Sequence, residues 1–227
     1  MWVKICGITC SEDAHLVVAA GGSAIGLNFY PGSKRFVTSD IARQIAGAVG
    51  DQVDVVGVFV NTPPDEVASM VHNTGLNAVQ FHGDESVDQI NHFRDLCPET
   101  PVIRAMRIGA GAAGCASQIR NLTMLNRPPD AVLVDAFVTG EYGGTGQSIA
   151  ADKRLAEATS LHRVILAGGL TPDNVEAAIE QIYPWGVDTA SGVETEPGRK
   201  SEDLVRRFVD ACRDHGSARR LQSANGS

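Results

Sequence analysis

The chain has 227 residues, of which 43% are hydrophobic and 20% charged, a balance that excludes wholesale disorder. Lys and Arg number 19 and Asp and Glu 27, a net charge of −8, which argues against a nucleic-acid binder. No apolar run approaches the ~18 residues of a membrane span, and the start, Met1–Gly7, lacks a secretory pattern, so a cytoplasmic protein is expected.

In chain order, strand-like and helix-like segments alternate. Val3–Cys6 reads as a strand and Ser11–Ala20 as a helix capped by Ser11. Ala24–Phe29 is the next strand, followed by a helix capped by Ser39 and running through Ala48. Val53–Val60 is almost continuously apolar, as suits a strand buried on both faces. Pro63 and Pro64 open a helix to His72. Asn77–Phe81 and Pro101–Ile108 are strands four and five, separated by a helix over Glu85–Leu96. A helix over Ala112–Leu125 leads to strand six, Ala131–Asp135, and Ala150–Ala158 is the helix after it. Arg163–Ala167 and Val187–Ala190 are strands seven and eight, flanking a helix over Thr171–Tyr183 with Thr171 as its N-cap and Pro172 at its first position. Ser201–Arg213 closes the pattern.

Eight strand–helix units without a Gly/Pro-rich linker predict one α/β domain over residues 1–213, a (β/α)8 TIM barrel. A doubly wound nucleotide-binding sheet would carry G-x-G-x-x-G after the first strand, where Cys6-Gly7-Ile8-Thr9 stands instead. Residues 214–227 are polar and aperiodic and read as a flexible tail. The five cysteines are odd in number and irregularly spaced, so neither a disulfide framework nor a metal site is expected.

In such a barrel the chemistry sits at the strand C-termini. There the sequence offers Cys6, Asn28, His82, Arg107 and Asp135, with Lys34 and Arg35 in the loop after strand two. Ala167-Gly168-Gly169-Leu170 and Ala190-Ser191-Gly192-Val193 are small-residue turns after strands seven and eight. Glycine lets a ligand approach the backbone, and exposed N–H groups attract an anion, so the pair points to a phosphate. Taken singly, each is also an ordinary tight turn. Cys6 and Asp135 are the acid–base candidates, a thiol that works as a thiolate and a carboxyl ending an apolar strand. His82 reads equally as a ligand neighbour or a turn residue. Lys4, two residues before Cys6 on the same face, reads as a buried, paired cation.

The motifs Lys4-Ile5-Cys6-Gly7, Pro31-Gly32-Ser33-Lys34-Arg35, Gln80-Phe81-His82-Gly83, Tyr142-Gly143-Gly144-Thr145-Gly146 and Asp188-Thr189-Ala190-Ser191-Gly192-Val193-Glu194 occur in that order. In them the chain closely resembles the phosphoribosylanthranilate isomerases of tryptophan biosynthesis, over about residues 2–213. The resemblance implies an Amadori rearrangement of N-(5′-phosphoribosyl)anthranilate to 1-(2-carboxyphenylamino)-1-deoxy-D-ribulose 5-phosphate, with no cofactor. It makes Asp135 the general acid, Cys6 the general base and Arg35 the partner of the anthranilate carboxylate. It places the phosphate at Gly169, Leu170, Ser191 and Gly192. The expected partner is this small phosphosugar, bound by a monomer. Gln147–Ala150 replaces the aromatic segment usual in the family after the Gly-Gly-Thr-Gly motif, and Asn28 a usual apolar residue. Related barrels acting on an aminoaldose of histidine synthesis carry an aspartate where Cys6 stands, which speaks against that activity. A non-catalytic phosphate binder is disfavoured by the joint presence of Cys6, Asp135 and Arg35.

Overall fold

A computed structural model describes residues 1–107, 112–135, 156, 159–160 and 162–224. Eight parallel strands close into a barrel in sequence order: β1 (Trp2–Cys6), β2 (Ala24–Asn28), β3 (Asp54–Phe59), β4 (Ala78–Phe81), β5 (Val102–Arg107), β6 (Ala131–Asp135), β7 (Val164–Ala167) and β8 (Gly186–Thr189). Closure comes from β1 pairing with β8, with Lys4 in register with Asp188. The helices are α1 (Ser11–Ala20), α2 (Ser39–Val49), α3 (Pro64–Thr74), α4 (Val87–Leu96), α5 (Ala112–Thr123), α6 (Val175–Ile182) and α7 (Glu202–Ala224). The expected helix over Ala150–Ala158, the Tyr142–Gly146 motif and the Gln147–Ala150 segment fall outside the described residues.

Alternation along the strands sorts the side chains into two cores. Outward-facing residues such as Ile5, Ile25, Val55, Val79 and Val132 pack against the helices. Inward-facing Ala24, Val56, Ala78, Ile103, Leu133 and Ile165 fill the barrel, and Trp2 stacks on Trp185 with ring centroids 5.3 Å apart. Toward the strand C-termini the interior becomes polar, with Lys4, Gln80 and Asp188 all buried. The fold therefore puts its chemically useful groups at one end of an otherwise apolar plug.

Most strand and helix ends lie within a residue or two of the sequence expectation. The helix caps differ for local reasons. Thr38, not Ser39, caps α2, because Thr38 is the last extended residue and its hydroxyl accepts the Ile41 N–H. Ser11 is the first helical residue of α1 rather than its cap. The α4 helix begins after Ser86, where Ser86 and Gln89 form a reciprocal capping box; Glu85, expected inside the helix, turns inward. Thr171 does not cap α6, which starts after Asn174. A small antiparallel hairpin, β9 (Glu194–Glu196) with β10 (Arg199–Lys200), follows β8 and was not expected. Finally, α7 does not stop at Arg213; it continues to Ala224 through the stretch read as an aperiodic tail.

Candidate active site at the C-terminal rim

Cys6 ends β1 and projects inward, partly exposed at the barrel mouth. It lies in register with Gly26 on β2. A Cβ on Gly26 would come within 2.7 Å of the Cys6 Sγ, so glycine is what makes room for the thiol. Beneath it Lys4 is fully buried and its Nζ donates to Asp188 Oδ1 at 2.8 Å, which bears out the reading of Lys4 as a paired cation. Burial pushes the Cys6 thiol up; Lys4 and Lys200 oppose this and Asp188 adds to it. Burial opposes the Lys4 charge, but Asp188 and Cys6 outweigh it and hold Lys4 above its usual range.

Arg35 comes from the loop after β2. Its backbone N–H donates to the Ser33 hydroxyl, and its side chain crosses Gly7, where a Cβ would collide with Arg35 Cδ. The guanidinium forks onto Glu194, Nε to Oε1 at 2.8 Å and Nη2 to Oε2 at 2.6 Å. A guanidinium has five donors on two usable edges. Glu194 takes the Nε edge, and among the described residues no acceptor bonds Nη1 on the outer edge. Glu194 also accepts Lys200 Nζ at 2.8 Å and the Gly198 N–H at 3.2 Å. Burial alone would raise the Glu194 carboxyl, but Arg35 and Lys200 pull it below its usual range. Lys200 is enclosed more completely and moves the other way in charge terms: burial pulls its ammonium down despite Glu194.

Next to this charged group, linked to it by the Lys200 bond to the Ala190 carbonyl, are the turns after β7 and β8. Gly168 and Gly169 have φ of +93° and +64°, a region that L side chains avoid. Asn174 clamps this turn, accepting from the Thr171 N–H at 2.8 Å and donating to the Gly169 carbonyl at 3.0 Å. The Thr189 hydroxyl donates to the Leu170 carbonyl at 2.7 Å and ties the two turns together. They approach so closely that a Cβ on Gly192 would strike the Leu170 carbonyl. Among the described residues the Gly169 and Leu170 N–H groups donate to no backbone carbonyl, and Ser191 and Gly192 open the short helical turn Ser191–Val193, whose first N–H groups have no partner within the turn.

Asp135 ends β6, partly exposed and in register with Ala167. It sits on the same rim as Cys6, three strands away round the ring through β7 and β8. His82 follows β4; its backbone N–H donates to the Phe59 carbonyl, and its Nδ1 lies 2.7 Å from Gln80 Nε2. Asn28 spends its Oδ1 on the Tyr30 N–H at 2.9 Å. Of the expected site residues, Cys6 and Arg35 thus join one charged cluster, and Gly169, Leu170, Ser191 and Gly192 one backbone cradle. Sequence reasoning passed over Gly26, Asn174 and Lys200 and gave Asp188 and Glu194 no role. Gly26 carried a signal, a glycine inside an apolar strand; Lys200 carried none.

A closed parallel barrel with an acid, a thiol, a guanidinium and paired glycine turns on its C-terminal rim belongs to the class of barrel enzymes that work at that face. The model of one family, N-(5′-phosphoribosyl)anthranilate (PRA) isomerase, matches residues 3–211. The N-(5′-phosphoribosyl)anthranilate isomerase of Rubrobacter xylanophilus is 43% identical over 212 residues, covering 93% of this chain and 98% of that one. The Thermotoga maritima phosphoribosylanthranilate isomerase structure superposes with a TM-score of 0.80 at 34% identity, over 94% of this chain and 99% of that one. A phosphoribosylanthranilate isomerase in complex with reduced 1-(o-carboxyphenylamino)-1-deoxyribulose 5-phosphate superposes at 0.78 with 32% identity, again over 94% and 99%. The chain belongs to the phosphoribosylanthranilate isomerase family and is an isomerase.

Proposed function

We propose that the protein converts N-(5′-phosphoribosyl)anthranilate to 1-(2-carboxyphenylamino)-1-deoxy-D-ribulose 5-phosphate in tryptophan biosynthesis. Asp135 gives its proton to the furanose ring oxygen as the C1′–O bond breaks, and the anilino nitrogen lone pair forms the C=N bond of an iminium. Cys6, as thiolate, then takes the C2′ proton; the electrons left behind neutralise the iminium and give an enolamine. Protonation at C1′ and loss of the 2′-hydroxyl proton yield the ketone. The substrate's own nitrogen supplies and receives the electrons, so the scheme requires no cofactor.

The observation that carries this reading is the charge arithmetic round Cys6. Lys4, Lys200 and Arg35 bring three positive charges against the two negative charges of Asp188 and Glu194. With Cys6 as thiol the cluster is left at +1, and a thiolate neutralises it. In a site of low dielectric that excess cation favours the thiolate. Burial works against it, so the resting residue is held toward the thiol. The iminium formed at ring opening is a further positive charge at the moment when the base is needed.

The substrate carboxylate is assigned to the outer edge of Arg35, whose inner edge Glu194 fixes. The 5′-phosphate is assigned to the N–H groups of Gly169, Leu170, Ser191 and Gly192, and His82 to the surrounding shell. All these groups come from one chain, and the reading is of a monomeric, cytoplasmic enzyme with its catalytic domain in residues 1–213. The test is turnover of freshly made phosphoribosylanthranilate beside its analogue lacking the carboxyl group. Conversion of the first, with a large loss of kcat/KM for the second, supports the assignment; equal rates, or none with the first, contradict it.

A further inference from the structure

Lys200 reaches the rim from outside the barrel. It stands on β10, opposite Glu194 of β9 in the hairpin register. The hairpin is docked from below: the Lys200 N–H donates to Asp13 Oδ2 at 2.9 Å, and the Thr9 hydroxyl donates to the Gly198 carbonyl at 2.7 Å. The Lys200 side chain is fully enclosed, and its ammonium has two partners among the described residues. One is Glu194 Oε1 at 2.8 Å, the carboxylate that fixes Arg35. The other is the Ala190 carbonyl at 3.0 Å, immediately before Ser191 and Gly192. One ammonium therefore holds both the anchor of the guanidinium and the first residue of the glycine turn.

Building on the isomerase reading above, we infer that Lys200 is a positioning residue that sets the spacing between the carboxylate end and the phosphate end of the substrate site, and supplies part of the charge under Cys6. A substrate bound at two ends needs those ends held at a fixed separation to place its reacting carbons, and small misplacement costs rate steeply. A fully enclosed ammonium bonded to two acceptors is a firm fastener, because breaking either bond leaves one of its protons without a water to turn to. The groups facing Cys6 are Lys4 from its own strand, Asp188 from β8, Arg35 from the β2 loop and Lys200 from β10. Removing Lys200 takes the cluster from +1 to zero before Cys6 ionises.

The experiment compares Lys200→Met, similar in length and uncharged, with Lys200→Arg and wild type. Three quantities are measured: the kcat and KM for phosphoribosylanthranilate, the binding of inorganic phosphate by calorimetry, and the rate of iodoacetamide alkylation at Cys6 against pH, read by peptide mass spectrometry. For Lys200→Met the KM rises tenfold or more, and phosphate binds several-fold more weakly. Alkylation at a fixed pH on the rising part of the curve slows several-fold, as the thiolate fraction falls with the loss of a nearby positive charge. Lys200→Arg, which keeps the charge, restores most of the alkylation rate. If Lys200→Met does not fold, Lys200→Arg and Glu194→Gln carry the KM and phosphate arms, each with a raised KM expected. Wild-type KM, phosphate binding and Cys6 alkylation in Lys200→Met, with only a lowered Tm, would overturn the inference and leave a purely structural lysine. Absence of turnover in the wild type would instead overturn the isomerase reading, while phosphate binding and alkylation would still decide the role of Lys200.

Discussion

The two halves of the rim are built from different materials. Around Cys6 the site is made of side-chain charge: Lys4, Asp188, Arg35, Glu194 and Lys200 are joined by bonds of 2.6–2.8 Å. Around Gly169 and Gly192 it is made of backbone, with Asn174 and Thr189 holding the turns through uncharged hydrogen bonds. The backbone half holds no titratable group in its turns, and a long side chain supports it at one point, the Lys200 bond to the Ala190 carbonyl. The charged half titrates and rests on long side chains throughout, and it is where a proton has to be moved. A fixed dipole cradle suits a group that is only held; a compensated charge cluster suits one whose protonation changes.

The largest effects are expected from the two groups assigned to proton transfer. Cys6→Ala and Asp135→Asn each lower kcat by roughly 10²–10⁴-fold, the usual range for a general acid or base, with little change in Tm. Retention of most of the turnover in either variant breaks the assignment for that residue. Arg35→Ala comes next. It raises KM by about 10–100-fold, the equivalent of a charge-assisted hydrogen-bonded pair. It leaves binding of inorganic phosphate at the wild-type level, since phosphate uses the other half. Coupled loss of both would merge the two halves into one.

Gly192→Val sharpens the same comparison from the other side. Its Cβ would strike the Leu170 carbonyl, so the turns must part. Relieving such overpacking costs about 1–3 kcal/mol, and calorimetric phosphate affinity falls while the pH profile of Cys6 alkylation stays put. The smallest effect is on stability in acid. Glu194 is held below its usual range in the folded protein, so it binds fewer protons folded than unfolded. Its contribution is present above the unfolded carboxylate range and is lost as pH falls through the lower, folded value. Glu194→Gln flattens the decline of Tm in that acid window, whereas Gly192→Val leaves its slope unchanged. Equal slopes in wild type and Glu194→Gln would show that Glu194 is not a linked group.

The barrel was legible because each strand–helix unit is marked locally by an apolar run, a turn and a cap. The caps themselves slipped by a residue where two neighbours, such as Thr38 and Ser39, could both serve and the last extended residue won. The rim was legible as strand ends, since Cys6 and Asp135 close apolar runs. What remained hidden was partnership. Lys200 lies far after Lys4 in sequence, and only closure of β1 on β8 and the hairpin beyond it let both charges act on one thiol. The hairpin was missed because β9 and β10 have three and two residues, too short for any periodicity. Asp188 and Glu194 stood within a legible motif, yet nothing local distinguishes a carboxylate that pairs with Lys4 or Arg35 from a turn residue.

In this mechanism Cys6 works as a thiolate base whose ionisation the charged half controls. That is tested by kcat/KM for phosphoribosylanthranilate against pH in the wild type, overlaid on the pH dependence of Cys6 alkylation in the same free enzyme. The ascending limb of kcat/KM and the alkylation curve are expected to share one midpoint. A rate that stays flat across the pH range in which Cys6 ionises would contradict it.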